Sequence, residues 1–312
     1  MKQWKKLLPA LLSLALLVSC GPKRPGTDTS VGDVSAPGTA DPFVFTRDSL
    51  PRLDGSTSTA PMAQAMCAVL LGEGREQVAD LVQFSRTTQS YRNLMAGAAD
   101  LLLAAEPAPE VAQELKQEGE WLLTPFATDA LVFVVNEDNP VDSLTTEQVR
   151  KIYTGQITNW KEVGGDDATI VVLNRKAGSG TRATFEAAVF GDEAVDFKGD
   201  AELDKSGDVQ TQMGSTDNAI SYLDFSHFDD SKFNAIKVEG VEPKSKNVTD
   251  DSFKIWATEH MYCSKDADEA TKAFLEFMLS DDVQGKLVEE QGFIPVSAMK
   301  VVKDASGKVS AK

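Results

Sequence analysis

From residue 43 to residue 298, short apolar runs alternate with segments of helical spacing. This alternation is what most limits how the chain can fold. "ADLLLAA" (99–105) and "TIVVLNR" (169–175) read as buried strands, and "FVFTRDSL" (43–50) as a further strand. "WLLTPFATDALVFVVN" (121–136) reads as two strands. Between them, "TAPMAQAMCAVLLG" (59–72) reads as a helix, with Pro61 in its first turn and Gly72 at its end. "TTQSYRNLMAG", "PEVAQELKQEG" and "LTTEQVRKIYTG" are helical, and "DKSGDVQTQMGSTDNAISYLDF" runs from helix to strand. "DADEATKAFLEFMLSDDVQGKLVEEQGF" supplies a closing pair of helices. Such alternation predicts α/β architecture with largely parallel sheets. Ligands of such sheets sit at the carboxyl ends of strands, where helices begin.

The 312 residues, 42% of them hydrophobic, suffice for two domains with their own cores. A net charge of −17 argues against general binding of nucleic acid or anionic membrane surface. An anion site would have to work locally, through aimed donors. The first residues are a targeting segment. Lys2, Lys5 and Lys6 precede an apolar run too short to span a bilayer comfortably, and "LVSCG" follows. Small residues before a cysteine resemble a bacterial lipobox, so residues 1–19 read as a lipoprotein signal peptide and Cys20 as the lipidated first residue. Residues 20–42, rich in Gly, Pro, Ser and Thr, read as a flexible tether. Cys67 falls mid-helix and Cys263 on a strand. A disulfide and two separate thiols both remain open. With two histidines, His227 and His260, and no Cys/His cluster, no transition-metal site and no cofactor is expected.

Three helix starts carry hydroxyls. "LDGSTSTAPM" offers Ser56, Thr57, Ser58 and Thr59, where one hydroxyl would cap a helix. "FSRTTQSYRNL" offers Ser85, Thr87 and Thr88, and alone reads as a plain cap. "VVLNRKAGSGTRATFEAAVFG" (171–191) adds Arg175, Ser179 and Thr181, with Gly178 and Gly180 allowing close backbone approach. Free amides and the dipole at a helix start favour negative charge, and the Arg175 fork suits an oxyanion. The P-loop pattern is absent. A small tetrahedral oxyanion needs on the order of ten hydrogen bonds when dehydrated, and three such loops can supply them.

These motifs resemble the substrate-binding proteins of bacterial phosphate ABC transporters. "DGSTS", "IYTGQITNWKEVGG", "NRKAGSGTRATFE", "NAISY" and "FLEFMLSDDVQGKLVEEQGFIPVS" carry the resemblance, in family order over about residues 43–298. It implies a two-lobed type II periplasmic-binding-protein fold with two crossover strands as hinge. Lobe I would be 43–135 plus 250–312, and lobe II 136–249. It also implies capture of inorganic phosphate between the lobes, delivery to ABC permease subunits, no enzymatic activity and a monomer held to the membrane by its lipid anchor alone. The place would be the cell envelope, on the outer face of the cytoplasmic membrane or in the periplasm.

By motif, the phosphate-binding residues would be Ser56, Thr57, Ser58, Thr87, Arg175, Ser179, Gly180 and Thr181. Many members carry a carboxylate between the arginine and G-S-G-T, where this chain has Ala177. Many also carry an aspartate that accepts phosphate's proton, and Glu106 lies one residue off that place. Asp100 reads as structural and Trp160 as a core or hinge aromatic. Binding of another oxyanion or a small anionic solute, or a phosphate sensor on the same fold, is the alternative. A hydrolase with Ser179 or Thr181 as nucleophile is disfavoured, since neither histidine sits in a catalytic motif.

Overall fold

The computed structural model describes residues 43–191, 193–303 and 308–312. The signal peptide (1–19), Cys20 and the tether (20–42) lie outside the described residues. The strand expected at 43–50 is a turn. Thr46 and Ser49 exchange backbone and side-chain hydrogen bonds, which draws the segment out of any ladder.

In chain order, β1 (Leu53–Gly55) leads into α1 (Ala60–Leu71), and α2 (Thr87–Met95) into β2 (Leu101–Ala105). After α3 (Pro109–Glu118) comes the 15-residue β3 (Trp121–Val135). Then follow α4 (Thr146–Tyr153), β4 (Val171–Arg175), α5 (Gly180–Phe190), β5 (Ala201–Leu203), α6 (Ser206–Met213), β6 (Ala219–Asp224) and β7 (Trp256–Ser264). The chain closes with helix Glu269–Met278 and helical turns over residues 283–290. α1 begins with Pro61 in its first turn and ends on the left-handed Gly72, and α4 carries a Thr145/Gln148 capping box.

The sheet path is β1-β2-β7-β3-β6-β4-β5, with short strands Asn234–Ala235 and Ile294–Pro295 also pairing β3. Both ends are parallel (β1 with β2; β6 with β4 and β4 with β5), whereas β7 pairs antiparallel with β2 and β3, and β3 with β6. The sheet is therefore mixed rather than largely parallel. The two strands expected within 121–136 are one. Pro125 does not break it, because the ladder shifts register between Glu259 and His260 and leaves Phe126 as an extra residue. β3 thus pairs with β7 through Trp121–Ala130 and with β6 through Leu131–Val135.

Apolar side chains sort the same way. Met62, Met66, Leu101, Leu103, Phe126 and Phe274 pack into one cluster, and Phe133, Tyr153, Trp160, Phe185, Tyr222 and Trp256 into another. The last described residues join the second: Ile294 and Met299 belong to it, and Val301 and Val309 pack against it. Trp160 is buried there as expected, with Nε1 donating to Asn218 O at 3.0 Å. Asp100 is structural, accepting from Arg52 N at 2.8 Å and Arg52 Nε at 2.9 Å. Cys67 and Cys263 are two buried free thiols, which decides between the alternatives left open. Among the described residues no helix is long and apolar enough to cross a membrane.

Candidate functional site

The site forms where β1, β4 and β6 end and where α1, α2 and α5 begin. β1 turns at Gly55, where an added Cβ would lie 2.1 Å from Leu103 O, so only glycine lets the strand run this close to β2. Asp54 then ties two loops together. It accepts from Gly55 N, Ser85 N, Ser85 Oγ and Asn93 Nδ2, each at 2.7 Å. Ser85 is thereby spent on structure. Ser56 and Ser58 are buried with their hydroxyls 2.7 Å apart, and Thr59 donates to Ser56 O at 3.0 Å.

Opposite them lies the start of α5. Ser179 is its N-cap and accepts from Arg182 N at 3.4 Å. A Cβ on Gly180 would stand 2.6 Å from Thr87 Oγ1, at the start of α2. Thr87 Oγ1 is buried and makes no hydrogen bond, so it is a polar atom aimed into the seam without a protein partner. Arg86 bridges the same seam to Asp204, Nη1 to Oδ1 at 2.8 Å.

Arg175, at the end of β4, is 1% exposed. Its Nη1 donates to Thr181 Oγ1 and Ser206 Oγ, and its Nη2 to Asp204 O, all at 3.3 Å, while Nε has no partner. These bonds are long and mostly to neutral acceptors. Burial pushes the guanidinium down from its ordinary range, and the Asp224 carboxylate opposes that. Thr181 Oγ1 donates to Asp224 Oδ2 at 2.8 Å. Asp224 is thus linked to Arg175 only through the Thr181 hydroxyl, and Ala177 is exposed.

The cavity between the two sets of loops measures ≈ 10 Å³. It is lined by Ser56, Ser58, Gly180 and Thr181 together with three carboxyls, Asp129, Asp224 and Glu259. Such a space holds about one water, so a tetrahedral anion enters only if the loops part. Thr57, Thr87, Glu106, Arg175 and Ser179 do not line the cavity, whereas Ala105 does; of these five, Thr57 is half-buried, Glu106 exposed and the other three buried. Asp129 accepts from Ala130 N at 2.8 Å, Ser226 N at 3.2 Å and Ser226 Oγ at 2.6 Å. Burial and then the Asp224 charge push its carboxyl well above the usual range, against those bonds. Burial, then Asp129 and Asp224, do the same to Glu259. His227 Nδ1 meets Ser226 Oγ at 3.1 Å, and neither Ser179 nor Thr181 is hydrogen-bonded to a histidine among the described residues.

Sequence reasoning thus missed Ser206, Asp129, Asp224 and Glu259. Asp224, in "SYLDF" at a strand end, was the one with a usable signal; the others read as ordinary strand or loop polarity.

Residues 46–282 match the PBP (periplasmic-binding-protein) superfamily domain. The chain is 41% identical over 184 residues to the phosphate-binding protein PstS of Bacillus subtilis, a match covering 59% of this chain and 61% of that protein. The chain thus spans about three fifths of that relative. A Clostridium perfringens structure of a phosphate ABC transporter substrate-binding type, solved with bound phosphate, is similar at 32% identity and a TM-score of 0.67, covering 78% of this chain and 98% of that one. An ABC-type phosphate transport receptor from Vibrio cholerae is similar at 30% identity and a TM-score of 0.61, with the same coverage.

Proposed function

The chain belongs to the PBP superfamily, and from that premise we propose that it captures inorganic phosphate between its two sets of loops and delivers it to ABC permease subunits. The observation that carries this is Arg175. It is a buried guanidinium with one nitrogen unpartnered and its other bonds long, flanked by Thr181 and Ser206. A buried cation held by weak neutral acceptors is poised to trade them for a charged oxyanion. The hydroxyls of Ser56, Ser58, Thr87, Ser179 and Thr181 and the amides of Gly180 and the α5 start complete the donor set. Thr57 and Glu106 are weaker candidates: like Arg175, Thr87 and Ser179 they stand outside the cavity lining, but Thr57 is only half-buried and Glu106 is exposed.

The two lobes are proposed to meet where β3 and β7 cross. The core packing favours assigning residues 294–303 and 308–312 to the lobe containing β4 and β6, rather than to the lobe containing β1 and β2. Opening about these strands admits the anion, and closure desolvates it. The chain is proposed to act as a monomer outside the cytoplasmic membrane, anchored through Cys20.

Calorimetry of the mature chain tests the reading. Phosphate binds the wild type, and Arg175→Ala weakens it at least a hundredfold with circular dichroism unchanged. Equal affinity in both would refute the site. A second reading, another oxyanion, is favoured by Glu106 standing exposed outside the cavity, where an acceptor for phosphate's proton was expected, and a competition series with sulfate, arsenate and molybdate separates the two.

A further inference from the structure

The described cleft contains more acid than base. Asp129, Asp224 and Glu259 line the cavity, and Arg175 reaches it through Thr181. Asp224 accepts from Thr181, and Asp129 is held by Ser226 and Ala130 N. Glu259 differs. It is 3% exposed, lines the cavity, and its Oε2 has no hydrogen-bond partner. Among the described residues no cation is hydrogen-bonded to it. The groups around it are Asp129 on β3, Asp224 at the end of β6, Tyr91 on α2 and Tyr262 on its own strand, with His227 beyond Asp224. All but His227 are acids, and burial pushes His227 towards its neutral form.

Three ionised carboxylates cannot share a dehydrated cavity with an anion against one guanidinium. A carboxyl that keeps its proton, however, is a donor of the kind an oxyanion needs.

We propose that Glu259 is a further ligand-binding residue: it enters the closed site as the neutral acid, its Oε2–H donates to an oxygen of the bound oxyanion, and capture therefore takes up a proton that release returns. The proton comes from solvent while the loops are parted and Glu259 is hydrated. It returns there when they part again, so the cycle balances. Affinity is then highest at low pH and declines as Glu259 ionises. The inference rests on the phosphate reading and adds to it a proton-linked release.

The test is a calorimetric titration of the mature chain with inorganic phosphate from pH 6 to 9, for the wild type and Glu259→Gln. The amide keeps a donor at this place and cannot ionise. Phosphate's own ionisation cancels in the ratio of the two dissociation constants. That ratio, wild type over variant, should climb at least tenfold between pH 7 and pH 9. A ratio constant within twofold would overturn the proposal while leaving phosphate capture intact. Wild type that fails to bind phosphate at any of these pH values would instead overturn the functional reading, and this inference with it. Infrared difference spectra of the wild type need no variant. A carboxylic-acid carbonyl band gained on adding phosphate at pH 8 is the expected result, and no gain overturns the proposal.

Discussion

Gly180 offers the sharpest test of how closely the two sets of loops meet. A Cβ there would lie 2.6 Å from Thr87 Oγ1, where ordinary contact begins at 3.4 Å. Thr87 Cβ and Cγ2 follow at 3.5 and 3.6 Å, and the β-branch resists the χ1 turn that would carry Oγ1 away. In Gly180→Ala the seam must therefore widen by about 0.8 Å, the difference between those two distances. A hydrogen bond to an anion at about 2.9 Å would stretch to roughly 3.7 Å, beyond useful range. Losing two such bonds at about 1 kcal/mol each costs about 2 kcal/mol, or roughly 30-fold in affinity. The same change should not harm the fold. Gly180 is not in the left-handed region and starts a helix, where alanine is favoured by up to about 1 kcal/mol. The assay is calorimetric phosphate affinity alongside thermal unfolding. Weaker binding with an equal or higher Tm is the expected pair of results. Unchanged affinity would refute the close seam. Thr87→Ala removes the nearest atom, so the double variant should bind no worse than Thr87→Ala alone.

Asp54→Ala should destabilise the chain by about 2–4 kcal/mol in urea unfolding, because it strips partners from Ser85, Asn93 and Gly55 N; a loss below about 1 kcal/mol would contradict this. The mature chain should yield the Cys67 and Cys263 thiols to Ellman's reagent only in denaturant, since both are buried and burial pushes the Cys67 thiol up to about 12; fast reaction in the native state would count against it. Burial also pushes His260 down to about 4. Its folded value lies below the unfolded ~6.5, so the stability from its neutral form is complete above that pH and lost as pH falls towards 4, by at most about 3 kcal/mol. His260→Gln should flatten that acid limb of a stability–pH curve, and an unaltered limb would refute the assignment.

Local order was legible in the sequence because it is written in local chemistry. Pro61 and Gly72 bracket α1, Thr145 and Gln148 cap α4, and "NRKAGSGT" places an arginine, two glycines and two hydroxyls at one helix start, whatever the rest of the chain does. Only long-range pairing decided the remainder. Pro125 looks like a break until β7 shifts register around it and lets β3 run on through both ends of the sheet. Asp129, Asp224 and Glu259 come from three strands far apart in sequence. Asp129 and Glu259 by themselves read as ordinary strand polarity, until the pairing of β3 with β6 and β7 brings them to one cavity with Asp224. Glu106 shows the converse: its place beside a strand end suited a ligand contact, and the structure leaves it exposed with Ala105 set against the cavity. The sequence by itself determined where donors for an anion could begin helices. The tertiary structure decided which acids face them, because the environment of a carboxyl belongs to its neighbours in space.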